Sequence, residues 1–275
     1  MKRKHHSYLI FPVIFNEGIT MGSQQPDSYY DRVYNVSFLY QNKYQHSPYW
    51  PMWALFGRII ASLTPPVDII DLGCGPGQFA QFLSTSFSNI HYTGFDFSQS
   101  AIDIAKGRNL PDEYYFIKED FFSININSIL GKHQTIITAF EVLEHLDNDI
   151  ALLNSIPPAT VTLFSVPSFD DQAHVRHFKS STEVFTRYKN LFDTLEVSPF
   201  LSWFTAYGVR SKYTVFDSSD TPDPVTDNEK NQPFCFRCSH SKPCGFVRRG
   251  PSCRKWWDYH LPPATKTKGN NNASG

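Results

Sequence analysis

The chain has 275 residues, 41 % hydrophobic and 16 % aromatic, enough for one domain with a sizeable buried core. Its net charge of −1 hides an uneven spread: residues 27–217 hold 13 Lys/Arg against 20 Asp/Glu, while residues 218–275 hold nine against five. An acidic middle is a poor match for a phosphate backbone, and no apolar run is long enough to span a membrane, so the central part is read as neither a nucleic-acid module nor a membrane segment.

The opening MKRKHHSYLIFPVIF has a basic head and a short apolar stretch. Pro12 interrupts the stretch and no small-residue cleavage site follows, so residues 1–26 are read as a flexible extension, with Met21 an alternative start. Residues 27–66 form a helical layer: YYDRVYN and WPMWALFGRIIASL carry large apolar groups at helical intervals, Pro51 suits a helix start, and Pro65-Pro66 ends the layer. From residue 67 short apolar runs alternate with amphipathic stretches. VDIIDLG, HYTGFDF, YYFIKED, QTIITAF and TVTLFSVP read as strands. Between them GQFAQFLSTSF, SQSAIDIAKGR (Ser98 as N-cap) and NDIALLNSI read as helices, and STEVFTRYKNLF as a helix after the fifth strand. TLEVSPFL and WFTAYGVRS follow so closely on one another that they pair as an antiparallel hairpin. The fold class is therefore α/β, a mostly parallel seven-stranded sheet with helices on both faces and an antiparallel C-terminal hairpin, spanning residues 67–217. Residues 218–275 are polar, proline-rich and basic, and are expected to stay disordered.

Four of the five cysteines, Cys235, Cys238, Cys244 and Cys253, lie in that tail, and only Cys74 is central. No disulfide framework is arranged this way, so a reducing, cytoplasmic setting is expected. The tail spacing C-x2-C-x5-C-x8-C has one pair at zinc spacing; with His240 nearby, a small zinc knuckle is an open alternative.

The first strand ends in DLGCGPGQF, which puts Gly73, Gly75 and Gly77 between a strand and a helix. Glycines there permit a tight turn and close approach of a ligand to the helix start. A glycine pattern alone is weak, but the second strand ends in Asp96, where an acid can grip ribose hydroxyls, and the third in Asp120-Phe121. Through DLGCGPGQF, TGFDFSQSAIDIA, KEDFF, AFEVLEHL and LFSVPSF, residues 30–212 resemble the class I S-adenosylmethionine-dependent methyltransferases, with a Rossmann-like fold. The resemblance implies that Asp71, Gly73, Cys74, Gly75 and Gly77 line the methionine end of S-adenosylmethionine. It implies too that Asp96 holds the ribose, that Phe97, Asp120 and Phe121 flank the adenine, and that Phe140 approaches the methionine end.

AFEVLEHLDND sets Glu141, Glu144 and His145 at spacings that share one face of a helix, directly after the fourth strand. Without a metal, His145 can act as a base that Glu141 or Glu144 orients and whose pKa they raise. The run also resembles the metal-assisted small-RNA 3′-terminal 2′-O-methyltransferases and the quinone-biosynthesis O-methyltransferases, which implies a divalent ion such as Mg²⁺ and a fourth ligand, His174 or His177. Arg176 between those histidines faces either an acidic substrate or a neighbouring carboxylate. The aromatic residues Tyr29, Tyr30, Tyr34, Tyr40, Tyr44, Tyr49, Trp50 and Trp53 form either a lid or, for most of them, plain packing. The reading adopted is a metal-free methyltransferase that acts on the oxygen of a small-molecule acceptor, with Glu141, Glu144 and His145 on the acceptor side. Its alternatives are a metal-assisted RNA 2′-O-methyltransferase that uses the basic tail, and a non-catalytic cofactor-binding or scaffolding protein.

Overall fold

Alternation within VDIIDL decides the layering. Val67 and Ile69 point to one face of the sheet, where they meet Ile136 and Leu163; Ile70 and Leu72 point to the other, where they meet Ile137 and Phe164. Both faces of a parallel sheet must be covered, and here each has its own apolar cluster beneath helices. Each fully buried Ile or Leu contributes about 1.5–3 kcal/mol relative to exposure.

The computed structural model describes residues 22–212. The N-terminal extension up to Met21, the tail from residue 218 and its four cysteines lie outside the described residues. The helical layer comprises α1 (Asp27–Val36), α2 (Phe38–Gln41), a 3₁₀ turn (Tyr44–His46) and α3 (Trp50–Ala61), with Pro51 in the first turn of α3. The core then runs β1 (Val67–Leu72), α4 (Gln78–Ser86), β2 (Ile90–Asp96), α5 (Gln99–Lys106), β3 (Tyr114–Lys118), α6 (Ile126–Ile129) and β4 (Gln134–Phe140). It continues with α7 (Asp149–Ser155), β5 (Val161–Pro167), α8 (Ser181–Tyr188), β6 (Phe192–Phe200) and β7 (Trp203–Arg210).

The sheet has seven strands in the order β3-β2-β1-β4-β5-β7-β6. β1 to β5 pair in parallel; β7 lies antiparallel to both β5 and β6, as the close spacing of the last two strands predicted. The reversal between β1 and the β4 side opens a crevice at the carboxyl ends of β1 and β4, where ligands of such sheets bind. The predicted cap is present: Ser98 Oγ accepts from the amide of Ala101 at 3.1 Å and starts α5. No helix among the described residues is long and apolar enough to cross a membrane.

The helical layer is strapped onto the core by hydrogen bonds to both its main chain and its side chains. Gln78 Nε2 donates to the carbonyls of Leu39 (3.0 Å) and Asn42 (2.9 Å). Arg108 donates to those of Tyr40 (2.8 Å) and Asn42 (3.0 Å) and also to that of Pro76 in the glycine turn. At the other end, Asp31 of α1 accepts from Ser98 Oγ (2.5 Å) and from the amide of Ser100 (3.0 Å).

Candidate active site

A cavity of about 560 Å³ opens at the carboxyl ends of β1 and β4, beneath the helical layer. Beside it, a smaller one of about 50 Å³ is lined by Asp96, Phe97 and Phe121. Gly73 and Glu141 border both.

The glycine turn is built by backbone demands. Gly73 (φ 79°), Gly75 (φ 51°) and Gly77 (φ 72°) all lie in the left-handed region, where a Cβ is strained. A Cβ on Gly73 would also stand 2.4 Å from the Val142 side chain. Amides of Gly73 and Cys74 donate to the carbonyl of Phe95 at 2.8 and 2.9 Å, which folds the turn against the end of β2. Asp71 accepts from Tyr92 Oη (2.5 Å) and Thr138 Oγ1 (2.6 Å), one partner on each neighbouring strand. Asp96 is 3 % exposed and accepts from the amides of Gly75 and Ser98, one on each oxygen and both at 2.9 Å. Burial pushes both carboxyls up to about 6, against the opposing pull of those hydrogen bonds.

The acid–histidine run does not form the helix that its spacing suggested. Only Leu143–His145 makes a turn, a 3₁₀ one, and Glu141 precedes it with φ 56°. That conformation is costly for a residue with a side chain and is held by its surroundings. Glu141 Oε1 accepts from Ser165 Oγ (2.7 Å) and Oε2 from Trp203 Nε1 (2.6 Å), while its amide donates to the same Ser165 Oγ (3.1 Å). Glu141 thus borders the cavity with both oxygens engaged, and burial lifts its pKa to about 7.

Glu144 is the opposite case. It is 0 % exposed, and neither carboxyl oxygen has a hydrogen-bond partner among the described residues. Burial first, and the charge of Glu141 second, hold its pKa well above the ordinary carboxylate range. His145 lies beside it, Nε2 3.8 Å from Glu144 Oε1. The His145 Nδ1 sits 2.9 Å from the Ala173 carbonyl, which can only accept, so Nδ1 carries the hydrogen and Nε2 keeps its lone pair. The expected rise in the His145 pKa does not occur: burial and the adjacent His174 depress it to about 4, and 3.8 Å is too far for Glu144 to counter with a hydrogen bond.

Of the two candidate downstream histidines, His174 joins this cluster and His177 does not. His174 is buried, its Nδ1 has no partner among the described residues, and one ligand atom from each of Glu144, His145 and His174 lies within 4.8 Å of the others. His177 instead faces Asp170 at 3.5 Å. Arg176 pairs with a neighbouring carboxylate, Asp149, at 3.3 Å and donates to the carbonyls of Leu143 (2.6 Å) and Leu146 (2.5 Å). It is thus a clamp on the 143–147 turn. Arg176→Ala is expected to lower unfolding free energy by about 2–3 kcal/mol, because Asp149 keeps Arg187 and Tyr188 as partners while the turn carbonyls lose theirs. Urea unfolding measures this, and a loss within error would mean that the turn holds itself.

Two resemblance-based placements differ. Asp120 is exposed and folds back to accept from the Phe122 amide at 3.0 Å, so it borders neither cavity. Gly77 lies beneath the cavity floor, where a Cβ would meet Ala105 and Phe116 at 3.0–3.2 Å. Phe140 borders the cavity and packs between Phe56 and Phe79. Packing was the expected role for most of the entry aromatics, yet six of the eight, Tyr29, Tyr30, Tyr34, Tyr40, Tyr49 and Trp53, line the cavity. Ser165 and Trp203, which hold Glu141, carried no local sequence signal.

The buried carboxyls give the ligand-free protein a defined pH response. Unfolded glutamates titrate near 4.5, so as pH falls through about 7 folded Glu141 gains a proton that the unfolded chain does not, and Glu144, held well above the ordinary carboxylate range by burial, is shifted in the same direction. Stability therefore rises as pH falls through that region, by on the order of 1 kcal/mol per pH unit. Below an ordinary histidine pKa of 6.5 the depressed His145 and His174 act in the other direction, since the unfolded chain takes up those protons first. Thermal melts across this range measure the effect; a flat profile would mean that the two carboxyls are ionised as in water.

A mostly parallel sheet with a glycine turn, a strand-end aspartate and a reversed hairpin defines a Rossmann-like domain. Residues 70–159, about a third of the chain, match the family model described as a methyltransferase domain. The resemblance to the class I S-adenosylmethionine-dependent methyltransferases stands on that match and on the sheet. Among curated proteins, the malonyl-[acyl-carrier protein] O-methyltransferase of Bacillus anthracis is 37 % identical over 59 residues, 22 % of each chain. That of Bacillus cytotoxicus is 34 % identical over 70 residues, 22 % of this chain and 25 % of that one. The matches thus span about a quarter of those relatives or less. Among solved structures, a S-adenosylmethionine-dependent methyltransferase of Archaeoglobus fulgidus is 14 % identical, covering 60 % of this chain and 95 % of that one, with a TM-score of 0.47.

Proposed function

We propose that the chain transfers a methyl group from S-adenosylmethionine to an oxygen of a small, uncharged acceptor. The observation that carries this reading is the pairing of two unlike ends in one crevice. Asp96, buried and fixed by two amides, faces one end, and the unpaired Glu144 with the free Nε2 of His145 faces the other.

The residues present fit such a cofactor. Gly73 and Gly75 hold a left-handed turn that side chains would strain, and Phe97 and Phe121 form an apolar slot beside Asp96. When bound, S-adenosylmethionine supplies an already electrophilic methyl group, so the chain's tasks are alignment, exclusion of water and proton handling. Asp96 grips hydroxyls of the ribose. Tyr30, Tyr34, Tyr40 and Tyr49 close the helical layer over the crevice. His145 Nε2 accepts the hydrogen bond of the acceptor hydroxyl and takes its proton as the oxygen–carbon bond forms. An alkylated oxygen is strongly acidic, so a base with a pKa of about 4 suffices at that stage.

Acceptor charge follows from the lining. Asp71, Glu141, Glu144 and Asp171 border the large cavity, and no Lys or Arg does so among the described residues. A free carboxylate, such as the one a malonyl group presents, meets no cation there. A second reading rests on the convergence of Glu144, His145 and His174. If a divalent ion is bound, these three side chains would hold it, and it would supply Lewis-acid activation of the acceptor oxygen, the chemistry of a metal-assisted 2′-O-methyl transfer to RNA.

Calorimetry with S-adenosylmethionine, with and without Mg²⁺, tests the cofactor and the ion together. A labelled-methyl screen over metabolites and RNA then tests the acceptor. Absence of binding at millimolar cofactor would sink the proposal. Methyl transfer to RNA that requires Mg²⁺ would favour the second reading.

A further inference from the structure

A second group of ligand-type side chains lies at the amino ends of the strands, unused by the chemistry above. Asp68 of β1 is the register partner of His91 of β2, so both side chains leave the sheet on the same face. His133 stands two residues before Thr135, the partner of Asp68 on the β4 side, and strand alternation sends it to that face too. The two Nδ1 atoms, of His91 and His133, lie 2.9 and 3.0 Å from the same oxygen, Asp68 Oδ1. The ring centroids are 5.0 Å apart, and one ligand atom from each of the three residues lies within 4.8 Å of the others. At about 3.3 Å per strand residue, Asp68 is roughly 16 Å from Gly73, well away from the crevice.

Two features separate this cluster from a surface ion pair. Asp68 Oδ2 is buried with no partner among the described residues, and Gly131 presses so closely on it that a Cβ there would stand 1.7 Å away. The carboxylate is sealed on that side and presents its charge only through Oδ1, the oxygen both imidazoles face. The only ion-pair partners of Asp68 among the described residues are these two histidines, so no Lys or Arg neutralises it. The rings themselves remain 45 % and 37 % exposed, which leaves the outer side open to water.

We propose that Asp68, His91 and His133 hold a divalent transition-metal ion of the zinc type, one carboxylate oxygen and two imidazole nitrogens with solvent in the remaining position. That donor set suits a borderline ion better than Mg²⁺ or Ca²⁺, which favour all-oxygen sites. Ligands from β1, β2 and the segment leading into β4 make it a structural clamp across three chain segments, at the end of the sheet remote from methyl transfer. Metal bound only by the folded chain stabilises it by mass action.

The test uses the full-length chain, stripped of metal and titrated with Zn²⁺ by calorimetry. The tail cysteines and the Glu144–His145–His174 cluster are other zinc ligands in the same chain, so the site is read by difference. His91→Ala and His133→Ala are each expected to bind one zinc ion fewer than wild type, whereas His145→Ala retains this site. A readout independent of variant folding comes from wild type alone: long-range ¹H–¹⁵N spectra in which the Nδ1 resonances of His91 and His133 shift at saturating Zn²⁺. Unmoved Nδ1 resonances, or equal zinc stoichiometry in wild type and both folded variants, would overturn the proposal and leave two histidines hydrogen-bonded to an aspartate.

Discussion

Asp96→Ala is expected to weaken S-adenosylmethionine binding about 100-fold or more, since hydrogen bonds to a charged acceptor are worth about 1.5–3 kcal/mol each and the ribose offers two. The loss has a second source. Asp96 also accepts from the amides of Gly75 and Ser98, so its removal frees the glycine turn as well as the ribose contact. Asp96→Asn keeps one acceptor oxygen and should fall between the two. Because burial holds this carboxyl at about 6 in the free protein, wild-type affinity should also decline as pH drops below that value, and the alanine variant should show a smaller decline, since Asp71 is held at the same value. Calorimetry reads all three. An unchanged dissociation constant in a folded Asp96→Ala protein would remove Asp96 from the cofactor site.

Glu144→Met should separate stability from turnover. Glu144 is fully buried with both oxygens unpaired, a state that costs about 1–3 kcal/mol and that an apolar chain of similar length relieves. The variant is therefore expected to unfold at higher temperature than wild type. Its turnover with the true acceptor should fall about 10-fold or more, because the cavity loses a buried polar partner for the acceptor beside His145, while cofactor affinity stays level. Destabilising groups are retained where function needs them, and this opposition of effects is their signature. A variant with higher stability and full turnover would reduce Glu144 to an unexplained buried acid. His145→Ala provides the companion measurement, since it removes Nε2 without disturbing the ribose end of the crevice.

Much of the architecture could be read before the structure. Strand and helix alternation from Val67 to Arg210 depends on local patterning, and the runs VDIIDL and QTIITAF are apolar on both faces, as a buried parallel strand must be. The glycine turn and Asp96 were legible because their spacing is fixed by one strand–turn–helix–strand unit. What the sequence hid was decided by long-range partners. Glu141 shares the spacing of a helical face, but Ser165 and Trp203, 24 and 62 residues away, capture it and pull the chain into a left-handed conformation. Choosing between His174 and His177 required the path of the 171–177 loop, which Arg176 and the Glu144 carbonyl determine. The entry aromatics have helical spacing that fits packing and lining equally; only the placement of the layer over β1 and β4 distinguishes them.

Several of the straps that hold the helical layer end on main-chain carbonyls. Gln78 and Arg108 grip Leu39, Tyr40 and Asn42 by atoms that every residue possesses. Tyr40, which looks into the cavity, gives its carbonyl rather than its side chain to these straps. A lineage could exchange that side chain without loosening these straps, and so reshape this part of the cavity while Asp96 stays as it is. At such positions attachment and lining are separable, so that one crevice floor can accept a changed roof.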